Sequence, residues 1–241
     1  MLELKKNKKF LIVVAHPDDE LLGLGGTICK LKQRDDVYIK VVILGEGITS
    51  RFNNEDKKSI RTDLTLHKQN ILAAKDILGY DDLATYDLPD NKFDTVPLLD
   101  IIKIVEKEKQ ITQPDVVFTH HNGDVNIDHQ LTFRAVITAF RSLPNDDFGG
   151  ILTFETPSGT EWIPPNDPRK FEPNIFVELS KELIEKKVMA MESYEFEKRD
   201  FPHPRSPQSL FNRSIMWGVT AGVEYAEPFQ LIKYILRNEN K

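Results

Sequence analysis

The sequence predicts a single-domain α/β fold: a mostly parallel sheet with helices on both faces. Three observations carry that prediction. Continuous apolar runs such as Phe10-Leu11-Ile12-Val13-Val14 lack the alternation of a strand with one wet face, so they read as strands buried on both sides. Segments of helical periodicity separate these runs, in a repeating strand–helix order over the first two-thirds of the chain. The length of 241 residues, with 40% hydrophobic and 29% charged content, suits one large domain with its own core.

The elements follow in order. Phe10 to Ala15 is a buried strand, and Glu20 to Arg34 a helix with Leu21, Leu22, Ile28 and Leu31 as its apolar stripe. Val37 to Leu44 is a second strand, rich in β-branched residues. A helix over 60–78 ends at Gly79, a residue suited to the left-handed C-cap. A short strand at Thr85 to Leu88 precedes a helix from Pro97 to Lys109, with proline at the start where it is tolerated. Asp115 to Thr119 is the next strand and Asp128 to Phe140 the next helix. From about residue 150 to 241 the pattern is irregular. Strands are expected at Ile151 to Glu155 and Ile175 to Leu179, and a helix at Lys181 to Tyr194. Two proline-rich loops, Thr156 to Pro173 and Asp200 to Pro207, are expected to supply substrate-site residues. No repeat or domain boundary interrupts the chain, so residues 1–241 are read as one unit.

Bulk properties exclude some functions. The net charge of −6 argues against a nucleic-acid or anionic-membrane binder. The N-terminus lacks the apolar length and cleavage site of a signal peptide, and no apolar run approaches the roughly 20 residues that span a bilayer. Cys29 is the one cysteine, reads as a buried core thiol, and is compatible with a reducing compartment. The expectation is a cytoplasmic protein without stable membrane insertion, with homo-oligomerisation left open.

The first strand ends by delivering Ala15-His16-Pro17-Asp18-Asp19-Glu20. Such groups are costly to bury without partners, and a metal ion would serve as one. His16 and Asp19 are three apart, and imidazole with carboxylate is a usual zinc pairing. A third ligand must come from elsewhere, and the best candidate is His129 in Asn126-Ile127-Asp128-His129, after the strand ending at Thr119. Asp18, beside a ligand yet free of the metal, is placed to act as general base on water. Taken alone, an Asp-Asp-Glu run is also a common helix N-terminus, and Asn126 or Asp128 can be plain N-caps.

Ala-His-Pro-Asp-Asp-Glu at 15–20 with Asp128-His129 opening a later helix resembles the PIG-L/LmbE-like zinc-dependent N-deacetylase family. The resemblance implies a Rossmann-like fold and removal of acyl groups, mostly acetyl, from amino sugars or their conjugates. It also implies Zn²⁺ held by His16, Asp19 and His129, with Asp18 as base and Asn126 and Asp128 in the catalytic segment. This chain departs from the family at Asn126, where better-known members carry a histidine. Asparagine can hydrogen-bond an oxyanion but cannot protonate a leaving amine. The proton must come from Asp18 or from another group: His120, His121, or His203 in the stiff segment Pro202-His203-Pro204-Arg205-Ser206, which is favoured.

Trp162 is a candidate platform for a sugar ring, and Arg51 and Arg205 are candidates to hold an anionic group on the substrate. Asn91 follows the third strand and is expected at the same edge. Gly23-Leu24-Gly25-Gly26 lacks the spacing of a dinucleotide loop and reads as an allowance for close packing. Two rival functions stand. One is a metal-dependent nucleotide-sugar glycosyltransferase, which would favour oxygen ligands. The other is a non-catalytic sugar-binding module whose metal is closed by a fourth ligand such as His120 or His121.

Overall fold

The computed structural model describes residues 7–51, 57–144 and 147–236, with the side chains of 51 and 57–60 outside that description. Five strands, β1 (Lys8–Val14), β2 (Val37–Gly45), β3 (Asp82–Leu88), β4 (Val116–His120) and β5 (Gly150–Phe154), pair in parallel in the order β3-β2-β1-β4-β5. Between them run α1 (Asp19–Leu31), α2 (Lys57–Leu78), α3 (Leu98–Thr112) and α4 (Ile127–Ala139). The continuous apolar run of β1 is explained by two cores. Phe10, Ile12 and Val14 pack on one face with α1 and α2. Leu11 and Val13 pack on the other with α3 and α4. The single-domain α/β expectation is met, and Gly79 caps α2 at φ 81° as read from sequence.

The order of strands reverses between β1 and β4, so the chain leaves these two neighbours in opposite directions. In open α/β sheets such a crevice, beyond the carboxyl ends, is where ligands bind. Both polar clusters of the sequence follow these two strands.

The last third holds more regular structure than its sequence pattern suggests. After β6 (Ile175–Leu179) and α5 (Lys181–Glu192) come α6 (Pro207–Ala221) and β7 (Tyr225–Tyr234), neither of which was expected. β7 lies between β5 and β6 and is antiparallel to both. Pro228 argues against a central strand. It is tolerated because the pairing with β5 stops at Phe229, so residues 225–228 face only β6.

α1 differs from its expected course as well: it ends at Leu31 and is broken at Leu24, where φ is −149° and ψ 25°. The glycines around the break let the helix lie close to the sheet. A Cβ on Gly23 would stand 2.2 Å from the Phe154 ring, and one on Gly26 would stand 2.6 Å from Leu179. The break exposes backbone groups that need partners. Glu227 of β7 accepts from Gly26 N (3.0 Å) and Thr27 N (2.6 Å). Lys187 of α5 donates to Leu22 O (2.9 Å) and to Glu227 Oε1 (2.7 Å). No helix among the described residues is long and apolar enough to cross a membrane.

Candidate metal and catalytic site

The turn after β1 is shaped by hydrogen bonds within the motif. His16 N donates to Asp19 Oδ2 (2.8 Å), and Leu21 N and Leu22 N donate to Asp18 O to start α1. Asp18 has φ 93°, a conformation that costs an aspartate about 1–3 kcal/mol and is found mostly where function requires it. Glu20 stabilises it by accepting from Asp18 N (3.1 Å) while its other oxygen accepts from Tyr194 OH (2.8 Å). Burial pushes the Glu20 carboxyl up to about 7, against the Tyr194 hydrogen bond.

His16, Asp19 and His129 each bring one donor atom to within 4.8 Å of the others. His16 Nδ1 and His129 Nε2 face Asp19 Oδ2 at 3.6 and 3.4 Å. The opposite nitrogen of each ring meets a carboxylate: His16 Nε2 lies 2.9 Å from Asp128 Oδ2, and His129 Nδ1 lies 3.1 Å from Asp124 Oδ2. This is the outer support that metal-ligating histidines ordinarily have, and it leaves the inward nitrogens as the free donors. Asp128 Oδ1 in turn accepts from Phe93 N, and Asp124 accepts from Asn126 N and Thr160 Oγ1. Burial opposes charge on His129, yet Asp19 and Asp124 raise it to about 10. Despite burial, His129 holds Asp19 well below the usual carboxylate range. The cluster therefore draws positive charge inward, which a divalent cation would supply. Two imidazoles and a carboxylate are a donor set suited to zinc.

The other expected residues fall as follows. Asp18 is buried in the same cleft, and burial raises its pKa well above normal although Arg205 opposes this. Arg205 lines the cleft and is anchored within it. Its Nη1 donates to Asp18 Oδ2 (2.9 Å) and Glu197 Oε2 (2.5 Å), and its Nε to Ser158 Oγ (2.7 Å). Asn126 caps α4 by accepting from Asp128 N, and its Nδ2 donates to Asn91 Oδ1; both asparagines line the cleft. His203 is half-buried with Nδ1 accepting from Arg205 N, and is not among the residues lining the cleft. His120 stacks on His129 with ring centroids 3.9 Å apart. Its Nε2 accepts from Ala15 N and its Nδ1 meets Thr156 Oγ1. Burial, with His129 beside it, holds His120 at about 4, so it is neutral. His121 Nε2 donates to Arg169 O. Trp162 is 56% exposed, and the Arg51 side chain lies outside the described residues.

Sequence reasoning missed Asp90, Asp124 and Glu197. Asp90 Oδ1 lies 3.5 Å from His16 Nε2 and its Oδ2 holds Ser50, while Glu197 pairs with Arg205. Asp124 stands five residues before His129, a spacing that gave no signal of its own, since a loop lies between them.

A family model described as PIG-L: GlcNAc-PI de-N-acetylase matches residues 11–140, from β1 through α4. The chain is 29% identical over 195 residues to the uncharacterised deacetylase YaiS of Escherichia coli K12, covering 78% of this chain and 91% of that protein. It is 24% identical over 232 residues to diacetylchitobiose deacetylase of Thermococcus kodakarensis, covering 93% and 83%. The fold also matches the solved structure of GalB, the 4-carboxy-2-hydroxymuconate hydratase of Pseudomonas putida KT2440. That match has a TM-score of 0.73 and 18% identity, and covers 97% of this chain and all of the other. Proteins named for different reactions share this fold, so the fold alone does not give the reaction.

Proposed function

The chain belongs to the PIG-L family of de-N-acetylases, and from that membership we propose that it is a zinc-dependent hydrolase. In this reading it removes an acetyl group from the amide nitrogen of an amino sugar or sugar conjugate. The observation that carries it is the convergence of His16, Asp19 and His129, with the far nitrogens of both rings held by Asp128 and Asp124. Zinc bound by those three would polarise the amide carbonyl and lower the pKa of water.

The chain's own residues do the rest. Asp18, with its proton affinity raised by burial, takes a proton from the attacking water. Asn126 Nδ2, which keeps a second hydrogen after binding Asn91, faces the cleft and supports the oxyanion as the amide carbonyl carbon becomes tetrahedral. Asp18 then returns its proton to the leaving nitrogen, the C–N bond breaks, and acetate and a free amine result. This assigns the proton transfer to Asp18 in place of His203, whose Nδ1 is engaged with the backbone. Arg205 holds Asp18 in its strained turn rather than binding substrate. The cleft, about 60 Å³, holds a few water molecules' volume and suits acetyl better than a long acyl chain.

The two rivals are disfavoured. A nucleotide-sugar transferase would centre its metal on oxygen ligands; His16, Asp90 and Asp128 also converge, but the group that joins both family-matched histidines, His16 and His129, with Asp19 favours zinc. A closed structural site needs a fourth ligand; His121 is bonded to Arg169 O, and His120 Nε2, though 3.3 Å from Asp19 Oδ2, is already taken up as acceptor for Ala15 N. The setting in this reading is cytoplasmic, with which the single buried thiol, Cys29, is compatible. The test is acetate release from a panel of N-acetyl sugars and conjugates with zinc restored. A free amine and acetate in equal amounts are expected from at least one class. Zinc-loaded protein that releases acetate from none of them overturns the reading.

A further inference from the structure

A second and larger cleft, about 760 Å³, opens between the 156–173 loop and α6, and shares no lining residue with the catalytic cleft. Its size falls within the roughly 300–1,000 Å³ of small-molecule sites. Its back wall is Trp217. The indole Nε1 donates to Glu155 Oε1 (2.6 Å), and Phe171 meets the ring edge-on with centroids 6.4 Å apart. Phe176 packs against it at 6.2 Å. The ring's edge is therefore anchored, and what remains to the cleft is apolar surface held in one orientation.

The charges of the cleft cancel locally. Glu155 and Glu161 flank Arg213, which donates to both (2.8 and 2.9 Å), and Lys170 stands at the rim. Two carboxylates set against two cations give no net pull on an anion or a cation. Glu155, Glu161, Asn212 and Arg213 bring planar, forked polar groups to the cleft, while Trp217, Phe171, Ile163 and Met216 supply the apolar area. A pre-oriented aromatic ring, hydrogen-bonding forks and zero net charge together match a ligand that is neutral, hydroxyl-rich and has an apolar face.

We infer that this cleft binds a neutral saccharide, as an accessory site distinct from the one that holds the reacting acyl group. Binding here needs neither the metal nor an amide, so the inference stands apart from the catalytic reading.

The test uses the full chain carrying Trp162→Phe, which leaves Trp217 as the only tryptophan. The probes are cellobiose and cellotriose, which have no amide to hydrolyse. A saturable change in tryptophan emission is expected. It should persist after chelation of the metal, and should weaken at least tenfold when the exposed Met216 is changed to Lys, which crowds and charges the cleft. No response to either sugar overturns the inference. So does a response abolished by chelation, which would place the sugar at the catalytic cleft, or one unaltered by Met216→Lys. Circular dichroism of the Met216→Lys protein verifies that it is folded. If it is not, Met216→Glu is read in its place.

Discussion

Arg205 Nη1 reaches across 187 positions of sequence to donate to Asp18 Oδ2 at 2.9 Å, and both groups lie in the catalytic cleft. Arg205 comes from the loop before α6, a region unrelated to the metal motif in sequence. Its contact orients the carboxylate assigned as base. Arg205→Ala should lower kcat by roughly 10²-fold, the scale of a misplaced catalytic group. Zinc content should stay near that of the parent. Asp18→Asn should behave alike but more severely, by about 10²–10⁴-fold. Acetate release measured beside metal analysis checks both. A parent-like rate in Asp18→Asn would sink the proposed mechanism.

The outer carboxylates should tune metal affinity without being ligands. His16→Ala and His129→Ala are expected to lose zinc and activity together. Asp128→Asn removes the acceptor beside His16 Nε2 but keeps the shape, so zinc should bind about 10–100-fold more weakly. A competition titration with a chromophoric chelator reads the difference, and activity should return at high zinc.

Asn126 has two tasks that one substitution can separate. Asp is as good an N-cap as Asn, so Asn126→Asp should leave thermal stability nearly unchanged. It loses the amide donor, however, and kcat should fall about 10²–10³-fold if that donor faces the oxyanion. A rate within threefold of the parent would remove Asn126 from the mechanism and confine it to capping.

The Lys187–Glu227 pair closes the break in α1 and is almost entirely buried. Removing one partner leaves the other charge without compensation. Lys187→Met and Glu227→Gln should each destabilise the fold by about 3–5 kcal/mol, seen in denaturant unfolding. In Glu227→Gln, Gly26 N and Thr27 N also compete for a single oxygen. The double variant should be less damaged than the two single effects added together.

Much of this was legible in the chain, for physical reasons that also mark where legibility ends. β1 and β4 announce themselves because strands buried on two faces must be continuously apolar. His16, Asp19 and His129 stand out because they follow those strands at the sheet's carboxyl edge. α6 was hidden because its inward positions are Leu210, Ser214 and Gly218, while Ile215, Met216 and Val219 face outward. A small-residue stripe lets α6 approach β7 closely, and it inverts the pattern by which amphipathic helices are recognised. β7 was hidden by Glu227, acceptable because Gly26, Thr27 and Lys187 lie against it, and by Pro228, acceptable because the pairing with β5 stops at Phe229. Arg205 stands out as a candidate, but its partner Asp18 lies 187 positions away and leaves no local spacing to read. Asp124 is only five residues from His129, but a loop between them gives no periodic signal.

The break in α1 carries a consequence for the order of events during synthesis. Gly26 and Thr27 emerge early, but the carboxylate that satisfies them arrives 201 and 200 residues later. Until β7 is made, the helix that begins at the metal motif has amide groups turned toward an absent partner. Loops closed over such distances form late and slowly. A ribosome-bound chain can thus display the whole His16–Glu20 motif and still lack the geometry to use it. The backbone behind the His16–Glu20 motif is thus completed by a strand, β7, that contributes none of the three candidate ligands.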